Sequence, residues 1–428
     1  MEKKPRTRLE QLAAEQRLSV PAFLQRFAVQ AEQLGQRVTV SRSQAKRWLS
    51  GESGSPRGHA QQVLENWFKE PIDQLLGPPL SHIHRPITER ELAVNAGRES
   101  VAHAIAAAAA LDPSALEHLH TAAEYAASAY YVSPPLEILG DLVALRDTVY
   151  NQLERTQKPL QKAHLYLIAG QVCGLLSSAS WDLGLDRASS EQARAAHTYG
   201  SIIDHLSLQA WARALQVTTM FWSGHPRQAA RLAAQALEFS PPGTAKARLH
   251  SVHARALAMI GAREEVRIEL ESANTELDRA GGDDFLDATG GELAFDRARR
   301  GLCAGAAYVA LHDGTQAERE ATTAIELFAT IPEDRRWAAG AIGAQVDLAA
   351  ARTLRHDLAG AQEALRPVFG LDSDRRTEAI AQRLLGLGRT LGTTRYVGAV
   401  EARDLGEAIE NFTGTSLSKI SASRALNI

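Results

Sequence analysis

The sequence predicts an all-α protein built in two parts, a short helical head followed by a long array of helical hairpins. Three observations predict it. Ala, Leu and Arg recur along the whole chain while aromatic residues make up only 6%, and such a composition favours helix because these side chains lose little freedom there. Apolar residues follow a helical period, punctuated by Ser or Thr start signals and by Gly and Pro stops. Beyond residue 160, small residues recur at a spacing of roughly forty residues, the mark of stacked repeats.

The head opens at Thr7-Arg8-Leu9-Glu10, a capping box that starts a first helix. Ser19-Val20-Pro21 starts a second, with Ser as cap and Pro in the first turn, where its missing N–H costs nothing. Ser41-Arg42-Ser43-Gln44 is another capping box, and the helix it opens stops near Gly51. A fourth helix begins near Gly58 and carries Val63, Leu64, Trp67 and Phe68. In the third helix Ala45, Trp48 and Leu49 share one face, while Ser41, Arg42, Ser43, Gln44, Lys46 and Arg47 lie elsewhere. A short helix with an apolar back and a face of Arg, Ser, Gln and Lys suits the DNA major groove, where Arg and Gln form paired hydrogen bonds with base edges.

Charge points the same way. Residues 1–80 hold 12 Lys+Arg against 8 Asp+Glu, whereas the remainder holds 35 against 42. A basic head on an acidic body suits a nucleic-acid module joined to a second function.

The Ser41–Gly51 segment resembles the recognition helix of the phage-repressor-like (XRE) helix-turn-helix family. The resemblance covers residues 1–77. It implies that Arg42, Ser43 and Gln44 touch bases and that Lys46 and Arg47 lean toward phosphates. Lys3, Lys4, Arg6 and Arg8 would form a basic arm along the backbone or minor groove. It further implies double-stranded DNA as partner and a homodimer, since one short helix reads too few bases. The stretch from Ser19 to Val40 departs from the family in its length, which implies a longer second helix or a loop at Gly35–Thr39.

Residues 78–88, with Gly77-Pro78-Pro79 at the start and Arg85-Pro86 near the end, read as a linker. Residues 89–159 read as a helical connector with helices at Glu89–Leu111, Ser114–Val132 and Leu136–Arg155, broken by Pro113 and Pro134-Pro135.

Residues 160–392 carry the repeat. Gly224, Ala229, Ala236 and Pro241 set the pattern; Gly184, Ser189 and Ala196, then Gly261, Val266 and Ala273, repeat it. Gly305, Tyr308, Ala317 and Ala324 form another unit, and Ala361 marks a last one. Residues 189, 229, 266, 317 and 361 are thus equivalent small positions, separated by steps of 40, 37, 51 and 44 residues. Such small residues let paired helices approach closely, and stacked pairs bury a continuous core. This pattern resembles tetratricopeptide repeats, which implies an α-solenoid with a groove lined by the first helix of each pair. The groove positions are then Gln171, Trp181, Asp182, Trp211, Phe221, Trp222, Arg248, Arg255, Met259 and Arg299. Trp and Arg together would hold an effector, whether a signalling peptide, a small molecule or a partner protein. The same aromatics also suit ordinary inter-helix core, and both readings stand at this point. Residues 393–428 read as a C-terminal cap and tail.

Other chemistry is not signalled. Cys173 and Cys303 sit in apolar helical surroundings and read as core. Gly281-Gly282-Asp283-Asp284-Phe285 resembles the signature of diguanylate cyclases but is flanked by helical repeat, and reads as a loop between repeats. No phosphate-binding loop, zinc-protease motif or nucleophile elbow occurs, so no enzyme, metal or cofactor is expected. The N-terminus lacks the apolar core of a secretory signal, and no apolar run reaches the ~18–20 residues of a membrane span. A cytoplasmic protein without a membrane partner is therefore expected. As a whole the chain resembles the helix-turn-helix plus repeat regulators of actinomycetes. The alternative from the same residues is a repeat scaffold whose head does not bind DNA.

Overall fold

Local start and stop signals fix the helices of the head. In the computed structural model, which describes residues 5–16, 18–52, 56–79, 89–107, 113–279 and 284–420, the chain divides into two units, Met1–Ala96 and Gly97–Ile428. Lys3, Lys4, most of the linker, Gly281–Asp283 and the tail beyond 420 lie outside the described residues. Among the described residues every regular element is helical.

The head holds α1 (Arg8–Glu15), α2 (Val20–Gln33), α3 (Arg42–Ser50), α4 (His59–Phe68) and α5 (Ile72–Leu75). The Thr7 and Ser19 side chains accept hydrogen bonds from Glu10 N–H and Ala22 N–H, as the start signals require. Around α3 the capping is complete. The Ser41 hydroxyl accepts from Gln44 N–H, the Gln44 amide oxygen accepts from Ser41 N–H, and Gly51 closes the helix at φ +70°. Each such cap contributes on the order of 1 kcal/mol. Leu9, Phe23, Phe27, Ala45, Val63 and Leu64 form the centre of a core on which Trp48 and Phe68 close. Residues 34–41 connect α2 to α3 without helix, the longer loop expected there.

The second unit opens within α6 (Glu89–Ala107) and continues through α7 (Pro113–Val132) and α8 (Pro135–Arg155). Among the described residues six hairpins follow. Their first helices are α9 (Pro159–Asp182), α11 (Leu206–Trp222), α13 (Thr244–Ala258), α16 (Arg297–Ala310), α18 (Ala338–Leu354) and α20 (Glu378–Leu391). Their second helices are α10 (Asp186–Ile202), α12 (Pro226–Phe239), α14 (Arg263–Asp278), α17 (Gly314–Thr330), α19 (Leu358–Phe369) and α21 (Val400–Gly414). Between α14 and α16 an insert carries the short helix α15 (Asp284–Thr289) and a 3-10 turn at Gly291–Leu293.

The hairpins share one physical device. Ser189, Ala229, Val266, Ala317 and Ala361 are each fully buried in the second helix, where they let it lie close to the first. Five residues before each stands a left-handed turn residue: Gly184, Gly224, Gly261, His312 and His356, with φ from +55° to +83°. Gly takes that conformation at no steric cost, and His is among the side chains that tolerate it. The two histidines are each followed by Asp, whose carboxylate caps the next helix by accepting from Gln316 N–H or Gly360 N–H. Gly305 lies within α16, where an added Cβ would touch the backbone of Ala321 on α17, so it marks helix contact within the pair.

Successive first helices pack side by side from α9 through α20, and α20 returns to touch α9. The C-terminal turn completes the closure: a Cβ on Gly184 would collide with Ser418. The expected open groove is therefore a ring of six helices around an axis. The C-terminal cap expected at 393–428 is a packed helix here, and the tail beyond 420 lies outside the described residues. Ala402, Leu405, Ile409 and Phe412 on α21 bury against the array at helical spacing, so α21 is the second helix of a sixth hairpin.

Candidate functional site

Two places carry chemistry, one in each unit. In the head, α3 presents Ser41, Arg42, Ser43, Gln44, Lys46 and Arg47 to solvent, while Ala45, Trp48 and Leu49 are buried behind them. The amphipathic spacing alone produces this division. Among the described residues none of Arg42, Lys46 and Arg47 is paired with a carboxylate; Arg47 only donates to the Ser43 hydroxyl at 3.2 Å. The C-terminal end of α3 is fixed by the Thr7 hydroxyl, which donates to Leu49 C=O at 2.7 Å.

Three head residues depart from the expected roles. Arg8 is turned inward, 9% exposed, and pairs with Glu70 at 2.8 Å. The hydrogen bond to Glu70 raises its pKa. It braces α1 against the segment after α4 and is no part of a DNA arm, because its position in the first turn of α1 faces the core. Arg6 is exposed but pairs with Glu52 at 2.6 Å. Gln44 is exposed, and its amide oxygen already accepts from Ser41 N–H in the capping box, so a two-bond contact with adenine, which needs oxygen and nitrogen together, would have to share that oxygen with the cap.

In the repeat unit, Trp181, Trp222, Arg248, Arg255 and Arg299, all among the expected groove positions, line one axial cavity. About 120 Å³ of it is open to the centres of water molecules, and every first helix except α18 contributes lining residues. Trp337, immediately before α18, supplies that position. Asp182, also expected at the groove, lines it too.

Gln171 and Trp211 do not line it. Trp211 is fully buried between helices: an added Cβ on Gly174 of α9 would lie 2.1 Å from its ring, so Trp211 packs directly on a glycine. It is inter-helix core. Gln171 is buried and reaches Thr289 of the insert at 3.3 Å. Phe221 is buried beside Trp222, and Met259 is exposed at the end of α13.

The insert supplies what the repeat spacing does not show. Glu292 is 4% exposed and accepts from Arg248 at 3.2 Å and from Arg299 at 2.7 Å. The two guanidiniums also hold the insert's backbone, both reaching Ala294 C=O at 2.7 Å. Burial lowers the Arg248 pKa to about 10, with Arg299 adding repulsion. Burial opposes the Arg299 charge as well, but Glu292 and Tyr131 outweigh it and the pKa is raised. These two arginines are thus consumed in fastening the insert.

Arg255 and Arg383 differ from them. Arg383, on α20, pairs with Asp347 of α18 at 3.2 Å, both side chains nearly buried. Arg255 has no hydrogen bond or carboxylate partner among the described residues. Its guanidinium lies over Phe221 and Trp222, 4.6 and 5.0 Å from the ring centroids. Burial, then repulsion from Arg383, lowers its pKa to about 10. Asp182 completes the polar lining: Tyr130 of α7 donates to it at 2.6 Å, and burial pushes its carboxyl up to about 7.

Arg383 is not found from sequence because the sixth hairpin lacks the Gly and small-residue spacing of the others. Glu292 is not found because the insert belongs to no repeat. One signal is available. The step of 51 residues between Val266 and Ala317 is the longest, and its excess is the insert.

Comparison with protein-family models matches none, and comparison with curated proteins gives no match. Among the described residues no helix is long and apolar enough to cross a membrane, and no cluster of three or more His, Cys, Asp or Glu is placed to hold a metal ion. Cys173 and Cys303 are both buried, and Cys303 lines the cavity.

Proposed function

We propose that the protein is a sequence-specific DNA-binding transcriptional regulator whose repeat unit is its sensing half. The observation that carries the reading is the solvent face of α3. Arg42, Lys46 and Arg47 stand on it with no carboxylate partner among the described residues, on a helix anchored by Trp48 and capped at both ends. A helix kept this rigid while leaving its cations unmatched is suited to a polyanion, since phosphates supply the missing charge and the groove admits one helix. Arg42 and Ser43 in the first turn would read base edges; Lys46 and Arg47 would contact phosphates. A homodimer is part of the proposal, because a single short helix contacts too few base pairs for useful discrimination.

The test is selection of DNA ligands by the full-length protein from a random pool, followed by a salt titration of the selected site. Replacing Lys46 with Ala should weaken binding to all sequences and lower the log–log salt slope by about one. Arg42→Ala should cost about 1–3 kcal/mol at one base position and relax the preference there. No enrichment from the pool, or binding that ignores both substitutions, would show that the head recognises something other than DNA.

A further inference from the structure

We propose that the axial cavity is the binding site of a small organic carboxylate, held by Arg255 with Arg383 beside it and the Trp181 indole N–H as neutral donor. The proposal deepens the reading of the repeat unit as a sensor by naming the class of ligand it takes.

Charge is the first argument. Arg248, Arg255, Arg299 and Arg383 face Glu292 and Asp347, with Asp182 as a further carboxyl shared with Tyr130. Glu292 serves two guanidiniums and Asp347 one. Arg255 is left over. Arg255 is only partly buried and Asp347 attracts it without a hydrogen bond, but withdrawing the charge from bulk water is still costly, and that attraction and the faces of Phe221 and Trp222 offset only part of the cost. A bound anion would supply the rest.

Unpartnered donors are the second argument. Trp181 lines the cavity at 8% exposure, and its indole nitrogen is buried without an acceptor. The Arg248 Nε, on another lining residue, is likewise buried and unmatched. Buried donors in native proteins are nearly always satisfied; Trp211 Nε1 and Arg300 Nε, away from the cavity, are unmatched too, so what marks Trp181 and Arg248 is their place on the cavity wall.

The shape of the lining selects the class. Arg248, Arg255 and Arg383 sit within helices whose N–H groups are spent on the helix, and the Arg299 N–H is taken by the Asp296 side chain, so side chains present the donors at these positions. The donors are guanidinium and indole. Around them stand Trp222, Trp337, Phe295, Val252 and Leu302, an apolar wall for a short hydrocarbon or aromatic body. Trp181 and Trp222 stack with centroids 6.1 Å apart. About 120 Å³ for water centres accommodates a small organic molecule.

The test is thermal unfolding and calorimetric titration of the full-length protein, without DNA, using benzoate and acetate as probes. Benzamide serves as the neutral counterpart of benzoate, and inorganic phosphate as the competing anion, all at one ionic strength. Benzoate should raise the unfolding midpoint by several degrees, climbing with the logarithm of concentration once the site is filled. Acetate should do so more weakly, and benzamide and phosphate not at all. Arg255→Met keeps a long apolar contact on Phe221 and Trp222. It should leave the ligand-free midpoint unchanged or higher and abolish the benzoate response. Trp181→Phe keeps the ring and removes the donor, and should weaken benzoate about tenfold. Benzamide acting as strongly as benzoate, phosphate acting where carboxylates do not, no response in the unsubstituted protein, or a full response in both variants would each overturn the proposal. DNA is absent throughout, so failure here leaves the reading of α3 to stand or fall on its own titration.

Discussion

Arginine is placed in opposite ways in the two units. On α3 it is exposed and unpaired, and water already satisfies it. In the axial cavity it is withdrawn from bulk water, fully at Arg248 and Arg299 and in part at Arg255 and Arg383, and each guanidinium must be answered by a carboxylate, a carbonyl or an aromatic face. The difference lies in what each arrangement costs to keep. An exposed arginine is nearly neutral for stability, so its presence is informative only through its face and its company. A buried arginine without a carboxylate is expensive, so the fold must gain elsewhere or a ligand must repay it.

Substitutions can break this contrast, and the largest effect belongs to Glu292. Glu292→Gln keeps the volume but leaves Arg248 and Arg299 without a carboxylate. It should destabilise the repeat unit by about 3–5 kcal/mol, read by urea denaturation. A loss under about 1 kcal/mol would mean that the backbone carbonyls of the insert suffice.

Next comes Asp182. Its carboxyl is raised to about 7 in the folded protein from 3.8, by burial first, against the hydrogen bond from Tyr130 and with repulsion from Glu292. The unfolded chain therefore loses this proton at lower pH than the folded one. The stability associated with the protonated group is full below about pH 4 and is lost as pH rises through about 7. Asp182→Asn still accepts from Tyr130 but does not ionise. The variant should gain on the parent by a few kcal/mol between these limits, because a tenfold difference in proton affinity between folded and unfolded chain is worth about 1.4 kcal/mol. Denaturation midpoints at pH 4 and pH 7.5 measure it, and parallel pH profiles for the two proteins would contradict it.

The smallest stability effect lies in the head. Ser41→Ala removes one half of the capping box and should cost about 1 kcal/mol. Its larger consequence would be in DNA affinity, because the first turn of α3 carries Arg42 and Ser43. A gel shift beside a melting curve separates the two, and equal losses in both would show that rigidity of α3 is its sole contribution.

Legibility in the sequence follows the range of the interaction. The caps of α3, the Pro134-Pro135 break and the buried small residues of the second helices are local and readable. The turn residues are readable too: His312-Asp313 and His356-Asp357 recur 44 residues apart, the same step as Ala317 to Ala361, but a search for Gly passes over them. Six cavity residues, Trp181, Asp182, Trp222, Arg248, Arg255 and Arg299, follow from the period of the first helices. The ring is not readable, since contact between α9 and α20 joins segments some two hundred residues apart and leaves no spacing to detect. For the same reason sequence misplaces Arg8: its partner Glu70 lies at the far end of the head.

The grip on the insert has one more consequence. Arg248 and Arg299 hold it through the carbonyls of Glu292 and Ala294, groups that every amino acid possesses. The side chain that follows those anchor points is therefore free to vary while that grip and the Glu292 carboxylate stay. Phe295, 4% exposed and set against both guanidiniums, is the one that projects onto the cavity wall. A descendant of this protein could exchange that single ring for a smaller or polar group and accept a different guest, with the six hairpins unchanged. The insert behaves as a replaceable lining in a permanent vessel.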